Sequence, residues 1–194
     1  MTLEKKESAI FAMGCFWCGE SEFRDHTSGL LLPGILSLRV GYAGGTHSNP
    51  TYEHHEGYKE AVKVEFDFPI ISYQKLLDIF WDNVDPFDGK GQFCDKGFSY
   101  TSAIYYRDST QKKMAIISHH NIQKILGKEI VTELIPATTF YDAEEYHQNY
   151  KERDPIRYGC YQRSCGRDQR LQEIWRGLKS SHEEKNKIFY NNIT

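Results

Sequence analysis

The stretch that decides the fold is AIFAMGCFWC, residues 9–18. Its opening apolar run has the length of a buried strand, and Gly14 ends that run. The composition from there to Arg24 is typical of a helix. Cys15 is therefore predicted to lie at a strand-to-helix junction, where unpaired backbone N–H groups favour a thiolate. We expect a nucleophilic cysteine with a lowered pKa.

Further elements follow this junction in a recognisable order. Alternating apolar residues predict strands over 35–42 and 61–68, and a third strand is predicted over 102–106. Ser72 is a plausible N-cap for an amphipathic helix that ends before Asp85. The order strand, helix, strand, strand, helix, strand is that of a ferredoxin-like βαββαβ core. The predicted fold class is therefore α+β, a two-layer sandwich with a mixed sheet.

The second half of the chain is less regular. A helix is predicted over 109–126 with Gly127 as its stop, followed by a strand over 129–135. After Pro155 the apolar periodicity fades, which predicts an ordered but irregular C-terminal segment. The polar tail, residues 179–194, is expected to fray.

Length and charge restrict the class of protein. No low-complexity stretch divides the 194 residues, so a single domain over 1–194 is predicted, with its core at about 9–176. The 24 basic and 27 acidic residues are scattered, which argues against nucleic acid and membrane partners. The apolar run 9–13 is too short for the core of a signal peptide, and no segment could span a bilayer. A soluble, cytoplasmic protein is expected.

Five cysteines, odd in number and unevenly spaced, differ from the even framework of a small secreted protein. In a reducing compartment they suggest chemistry or a metal. One alternative is a zinc-stapled interaction module that uses Cys15, Cys18, Cys160 and Cys165, although the second spacing fits zinc less well. Another is a thioredoxin-like disulfide oxidoreductase with Cys15 and Cys18 as its dithiol. Inert packing of Cys15 is the third.

Five motifs occur in one order along the chain: GCFW (14–17), GYAGG (41–45), NPTYE (49–53), YKEAV (58–62), and CDKG with YTSAIY (94–97 and 100–105). Together they resemble the signatures of the peptide-methionine (S)-S-oxide reductases, the methionine sulfoxide reductase A family. The resemblance covers about residues 9–176. It implies a thiol-dependent oxidoreductase that reduces the S epimer of methionine sulfoxide, free or in proteins, and so repairs oxidative damage.

The resemblance also implies the reacting groups. Cys15 would attack the sulfoxide sulfur, and Glu60 would give the oxygen a proton. A carboxylic acid kept neutral by apolar surroundings suits that task, because the oxygen leaves poorly unless it is protonated. The resemblance assigns the oxygen to three holding residues and the methyl group to two aromatic ones, which are Tyr52, Asp95 and Tyr100, and Phe16 and Trp17.

Reduction of the sulfoxide would leave a sulfenic acid on Cys15, which a second thiol normally removes. Four cysteines are candidates for that resolving thiol: Cys18, Cys94, Cys160 and Cys165. The resemblance places the recycling cysteines near the C-terminus and slightly favours Cys165 over Cys160, while Cys18 stays open. A thioredoxin-type dithiol would then reduce the disulfide. No Gly-x-Gly-x-x-Gly motif opens a helix, so no flavin or nicotinamide cofactor is expected.

The sequence departs from the common family pattern in places. His54 and His55 stand where a longer loop is usual, Lys59 replaces an alanine, and Cys18 replaces a glycine. The spacing of Glu144 and His147 occurs in di-iron sites, but such a site needs two copies and further carboxylates. No metal is predicted, and His147 is interpreted as structural.

Overall fold

The computed structural model describes residues 5–176 of the chain. Its elements, in chain order, are β1 (Lys6–Ala12), α1 (Phe16–Glu22), β2 (Ile35–Ala43), β3 (Lys59–Asp67), α2 (Tyr73–Asp82), β4 (Gly91–Gln92), β5 (Asp95–Lys96), β6 (Ala103–Tyr106), α3 (Ser109–Leu126), β7 (Glu133–Pro136), β8 (Tyr141–Asp142), α4 (Tyr150–Arg153), α5 (Pro155–Cys165) and α6 (Arg167–Ile174). Short 3₁₀ turns form at Phe98–Tyr100 and Glu145–His147. None of the described helices is long and apolar enough to cross a membrane.

Six strands form the main sheet in the order β7-β6-β1-β3-β2-β8. The pair β6 and β7 is parallel, whereas the other neighbours are antiparallel, so the sheet is mixed. The strands β6, β1, β3 and β2 lie side by side and belong to the sequence β1-α1-β2-β3-α2-β6. This is the predicted βαββαβ core, and the α+β class is confirmed.

The junction after β1 depends on a glycine. Gly14 has a φ of +81°, which L side chains rarely adopt, and a Cβ there would lie 2.6 Å from the Cβ of Gln92. The chain therefore turns directly from β1 into α1 and leaves Cys15 at the N-cap position. The predicted strand-to-helix junction is confirmed.

The core lies between the sheet and its helices. Alternate residues of β3, namely Val62, Val64 and Phe66, are fully buried there, as the period of two predicted. The second helix begins where expected, because the Ser72 hydroxyl accepts a hydrogen bond of 3.2 Å from the backbone of Lys75. Gly127, in a left-handed conformation, ends α3 as predicted.

Two predictions of the second half need correction. The strand expected over 129–135 begins only at Glu133. The C-terminal segment was predicted to be irregular, and this is wrong, because it forms α5 and α6. The caps define α5: the Asp154 side chain accepts from the backbone of Arg157 at 3.0 Å, Pro155 opens the helix, and Gly166 ends it. Periodicity did not reveal it because the only buried residue of α5 is Tyr158.

The polar tail over 179–194 lies outside the described residues. The single domain over residues 1–194 therefore stays a prediction.

Candidate active site

Cys15 lies at the bottom of a site formed by several elements. Only 9% of the residue is exposed, and its thiol makes a hydrogen bond with the thiol of Cys18, one turn further along α1. The hydroxyl of Tyr161, on α5, makes a second hydrogen bond to the Cys15 sulfur. Residues from the two ends of the described chain therefore meet at this sulfur.

The ionisation of Cys15 differs from the sequence-based expectation. Burial raises the pKa of the Cys15 thiol well above its usual value, and nearby Cys18 and Glu60 raise it further. The prediction of a lowered pKa was wrong, because loss of hydration outweighs the dipole of a helix only seven residues long. The hydrogen bond between the two thiols lowers the pKa of Cys18. Cys15 therefore rests as a neutral thiol.

Glu60 lies in β3 and is 1% exposed. Its Oε2 accepts a hydrogen bond of 2.9 Å from the backbone N–H of Phe16, and the Tyr100 hydroxyl donates to its carboxyl group. Burial raises the pKa of Glu60 to about 8. Lys59, the preceding residue, instead pairs with Glu133 at 2.6 Å. At neutral pH Glu60 therefore carries a proton and can donate it.

The two predicted phenols meet beside Glu60. The hydroxyls of Tyr52 and Tyr100 make a hydrogen bond with each other, and burial with the nearby Glu60 raises the pKa of both. Both are consequently neutral donors at any physiological pH. Tyr52 is held by its backbone N–H, which donates to Glu144 Oε1 at 2.8 Å.

Asp95 closes the site from a second, two-stranded sheet that β4 and β5 form. The Tyr161 hydroxyl donates to its Oδ2. Burial raises the pKa of Asp95, while the bond from Tyr161 opposes that rise. The Tyr161 hydroxyl therefore contacts both Asp95 and Cys15.

The aromatic wall of the site is formed by Phe16 and Trp17. Phe16 is 1% exposed, whereas Trp17 is only partly buried, so the Trp17 ring is the more accessible of the two. The Trp17 indole N–H donates to Nδ1 of His147 at 3.0 Å, and its ring stacks on Tyr150 at a centroid distance of 3.7 Å. The position of Trp17 is therefore fixed from two sides.

Glu144 and His147 accept hydrogen bonds from other residues of this chain. Glu144 accepts from the Tyr42 hydroxyl at 2.9 Å as well as from the backbone of Tyr52. His147, interpreted from sequence as structural, is 2% exposed and its ring lies 4.5 Å from that of Tyr52. Both residues support the site rather than a di-iron centre.

The cysteines are in different states. Cys94 and Cys165 form a disulfide, while Cys15, Cys18 and Cys160 are free and Cys160 is exposed. The bond of Cys165 to Cys94 was not anticipated by the prediction that slightly favoured Cys165 as the resolving thiol. It also breaks up the four-cysteine zinc alternative. Within residues 5–176, the only potential metal-binding group combines this disulfide with Asp95.

Sequence reasoning missed three contributors to the site, namely Tyr161, Glu144 and His147. Glu144 and His147 were noticed only for their metal-like spacing. Tyr161 lies four positions before Cys165, on a helix whose weak periodicity concealed it. The available signal was the pair Asp154 and Pro155, which is typical of a helix start.

Known proteins share this sequence and fold. The family model described as peptide methionine sulfoxide reductase matches residues 7–179. The MsrA of Bacillus velezensis is 43% identical over 179 residues, which cover 89% of this chain and 98% of that protein. Mxr1 from Saccharomyces cerevisiae in reduced form superposes with a TM-score of 0.71 at 30% identity, covering 78% of this chain and 87% of Mxr1. Mxr1 in complex with Trx2 gives a TM-score of 0.54 at 25% identity, with 76% and 86% covered. The chain, with its buried thiol beside a protonated carboxyl group, belongs to the peptide methionine sulfoxide reductase family.

Proposed function

We propose that this chain reduces the S epimer of methionine sulfoxide, free or in proteins, with Cys15 as the nucleophile and Glu60 as the acid. The observation that carries the proposal is Glu60, a fully buried carboxyl group whose pKa is raised to about 8 beside a buried thiol. Such a group is protonated at neutral pH and can make the sulfoxide oxygen a better leaving group.

One sulfoxide is reduced as one Cys15 thiol is oxidised. The Cys15 sulfur loses its proton and attacks the sulfoxide sulfur, while Glu60 protonates the oxygen, which is transferred to Cys15 as a hydroxyl. Over the whole step the proton released by the thiol offsets the one that Glu60 gives. The sulfoxide gains two electrons and becomes a thioether, while Cys15 loses two and becomes a sulfenic acid. The phenols of Tyr52 and Tyr100 contribute neutral donors to the oxygen during this step, and Asp95 contributes to its placement.

The substrate methyl group would rest against Phe16 and Trp17. The fixed position of Trp17, between His147 and Tyr150, supports this role, because a rigid apolar wall selects a small group in one orientation. A sulfoxide has a defined hand when its oxygen points at Glu60, its methyl group contacts the indole and its sulfur presents one face to Cys15. The opposite epimer cannot satisfy all three contacts, which is the basis for selectivity.

Cys18 is the first resolving thiol in this proposal. Its sulfur is the one in hydrogen-bond contact with Cys15, and its lowered pKa favours the thiolate that attacks. Attack on the sulfenic acid forms a disulfide and releases the hydroxyl as water. Cys160 is exposed and Cys165 is bound to Cys94, so neither is as well placed for this step.

An external dithiol protein of the thioredoxin type would then reduce the Cys15–Cys18 disulfide by exchange and become oxidised itself. The solved complex of Mxr1 with Trx2 supports a protein partner of this kind. The chemistry needs no flavin, nicotinamide or metal, because two thiols supply both electrons. Free Cys15, Cys18 and Cys160 suit a reducing compartment, and we propose the cytoplasm.

The function is tested by dithiothreitol-driven reduction of each separate epimer of an N-acetyl methionine sulfoxide amide. We expect wild type to convert only the S epimer and Cys15→Ser to convert neither. The N-acetyl methionine amide that forms is measured by chromatography. Conversion of the R epimer at a similar rate, or undiminished turnover by Cys15→Ser, would refute the proposal.

The resolving thiol is tested with Cys18→Ser beside Cys160→Ser as the matched cysteine variant. We expect Cys18→Ser to complete one turnover at the wild-type rate and then stall when thioredoxin is the only reductant. Cys160→Ser should continue to turn over. If Cys160→Ser stalled while Cys18→Ser continued, Cys160 would be the resolving residue instead.

A further inference from the structure

Tyr161 belongs to the site but has no part in the proposed function. Its hydroxyl donates to Oδ2 of Asp95 and makes a hydrogen bond to the Cys15 sulfur. Its ring meets the Trp17 indole edge-on, with the ring centroids 6.2 Å apart. A phenol that contacts both a nucleophile and a carboxylate is placed to carry a proton between them.

The reaction requires such a path. Cys15 is a buried neutral thiol, and it must lose its proton to attack the sulfoxide sulfur. Glu60 cannot take that proton, because it has to be protonated itself when it acts as the acid. Cys18 cannot keep it either, because it attacks the sulfenic acid as a thiolate. The other carboxylate in the site is Asp95, and the Tyr161 hydroxyl is its hydrogen-bond connection to Cys15.

We propose that Tyr161 is a further catalytic residue, which passes the proton of the Cys15 thiol to the Asp95 carboxylate; the inference rests on the proposed function. The S–H bond of Cys15 breaks as an O–H bond forms on the Tyr161 oxygen. The original phenol proton moves to Asp95 Oδ2 in the same step. The result is a thiolate, a neutral phenol and a neutral carboxylic acid, so neither electrons nor net charge change.

The fold holds the relay in place with a covalent bond. Tyr161 and Cys165 are four positions apart on α5 and therefore lie on the same face of that helix. Cys94 is the residue before Asp95. The Cys94–Cys165 disulfide consequently joins the same two segments as the hydrogen bond between Tyr161 and Asp95. The disulfide therefore keeps the Tyr161 hydroxyl and the Asp95 carboxyl group together while the substrate binds.

The groups around Cys15 and Asp95 affect the pKa of the proton donor and of the proton acceptor in this relay. Burial raises the pKa of Asp95, and the hydrogen bond from Tyr161 together with the charges of Lys96 and Arg167 opposes that rise, which favours the carboxylate. Around Cys15, burial, Cys18 and Glu60 raise the thiol pKa, whereas the hydrogen bond with Tyr161 lowers it and so favours the thiolate that the relay produces. The titratable groups that face the three relay residues are Cys18, Tyr52, Glu60, Lys96, Tyr100 and Arg167.

The test is a single-turnover experiment on the disulfide-bonded form, in which Cys15 is free. Rapid quenching with the S epimer of the amide substrate gives the maximal rate and the half-saturating concentration separately. We expect Tyr161→Phe, which keeps the ring, to slow the maximal rate on the order of 10²-fold with little change in half-saturation. Asp95→Asn should be at least as slow, and the double variant should be no slower than Asp95→Asn alone.

Tyr158→Phe is the matched control, because it removes another buried hydroxyl from the same helix, one that bonds to Ser21 at 2.8 Å and to Cys18, whose thiol acts only after the first reduction step. It should keep the wild-type rate, which separates the relay from simple loosening of α5. The relay is wrong if Tyr161→Phe keeps the wild-type rate, if the two single effects multiply in the double variant, or if Tyr158→Phe is equally slow. Absence of any first turnover in wild type would instead refute the proposed function.

Discussion

The βαββαβ core, residues 6–106, and the later part of the described chain, residues 141–174, build one site by different means. The core holds its groups through burial on the sheet, as the 1% exposure of Glu60 illustrates. The later part relies on single polar contacts that reach back to the core, such as His147 to Trp17 and Tyr161 to Asp95. Most reacting groups thus come from the well-packed region. The later region, which has few buried residues, contributes His147 as a positioning group and Tyr161 as the proposed relay residue. Loss of a core residue should therefore affect folding, and loss of a later contact should affect mainly rates.

The largest expected effect comes from the acid in the core. Glu60→Gln should slow reduction by about 10²–10⁴-fold at pH 7, because an amide cannot protonate the oxygen. Wild-type activity should fall as the pH rises through about 8, where Glu60 loses its proton, and the variant should lack this dependence. The pH profile of the first turnover measures both. Glu65→Gln, a partly exposed carboxylate of the same strand that pairs with Lys6, is the control and should behave like wild type.

The same pKa predicts a change in stability with pH. Glu60 has a folded pKa of about 8, above its usual value of 4.5, so its contribution to stability is complete below pH 4.5 and is lost as the pH rises through 8. The unfolding free energy of Glu60→Gln relative to wild type should therefore increase across that interval. Urea unfolding at pH 5 and pH 9 measures it, and an equal difference at both values would contradict the assignment.

The difference in packing between the core and α5 should appear as a difference in the free energy of unfolding that each variant loses. Phe80 is fully buried against Phe11 at a ring distance of 5.6 Å, so Phe80→Ala should lower the unfolding free energy by about 3–5 kcal/mol. Tyr158→Phe loses its hydrogen bonds to Ser21 and Cys18 and should cost about 1–2 kcal/mol. Urea unfolding with a common slope measures both. Equal losses would show that α5 belongs to the cooperative core.

The smallest effect is expected at the contact that fixes Trp17. His147→Phe keeps an aromatic ring but removes the acceptor of the indole N–H, which costs about 1–2 kcal/mol and should raise KM about tenfold with little change in kcat. His120→Phe, on the exposed side of α3, serves as the control. A fall in kcat with unchanged KM would instead place His147 in the chemical step.

The sequence predicted the core well because its signals are local. The apolar run before Gly14, the alternation in β3 and the Ser72 cap each specify an element by themselves. The ordered motifs, through the family resemblance, predicted that Cys15 and Glu60 act in the same reaction. The remaining contributors could not be predicted, since the bond between Tyr161 and Asp95 spans 66 positions and leaves no periodic trace. Nor could composition reveal that burial, rather than the helix dipole, controls the pKa of Cys15.

The most direct test of the central claim uses Cys18→Ser, which lacks the thiol in contact with Cys15 and should therefore let the sulfenic acid accumulate. The variant is mixed with the S epimer and with dimedone, which traps sulfenic acids, and the modified cysteine is located by peptide mass spectrometry. We predict one methionine formed per chain and a dimedone adduct on Cys15. Methionine formation without an adduct on Cys15, or with the adduct on another cysteine, would contradict the account.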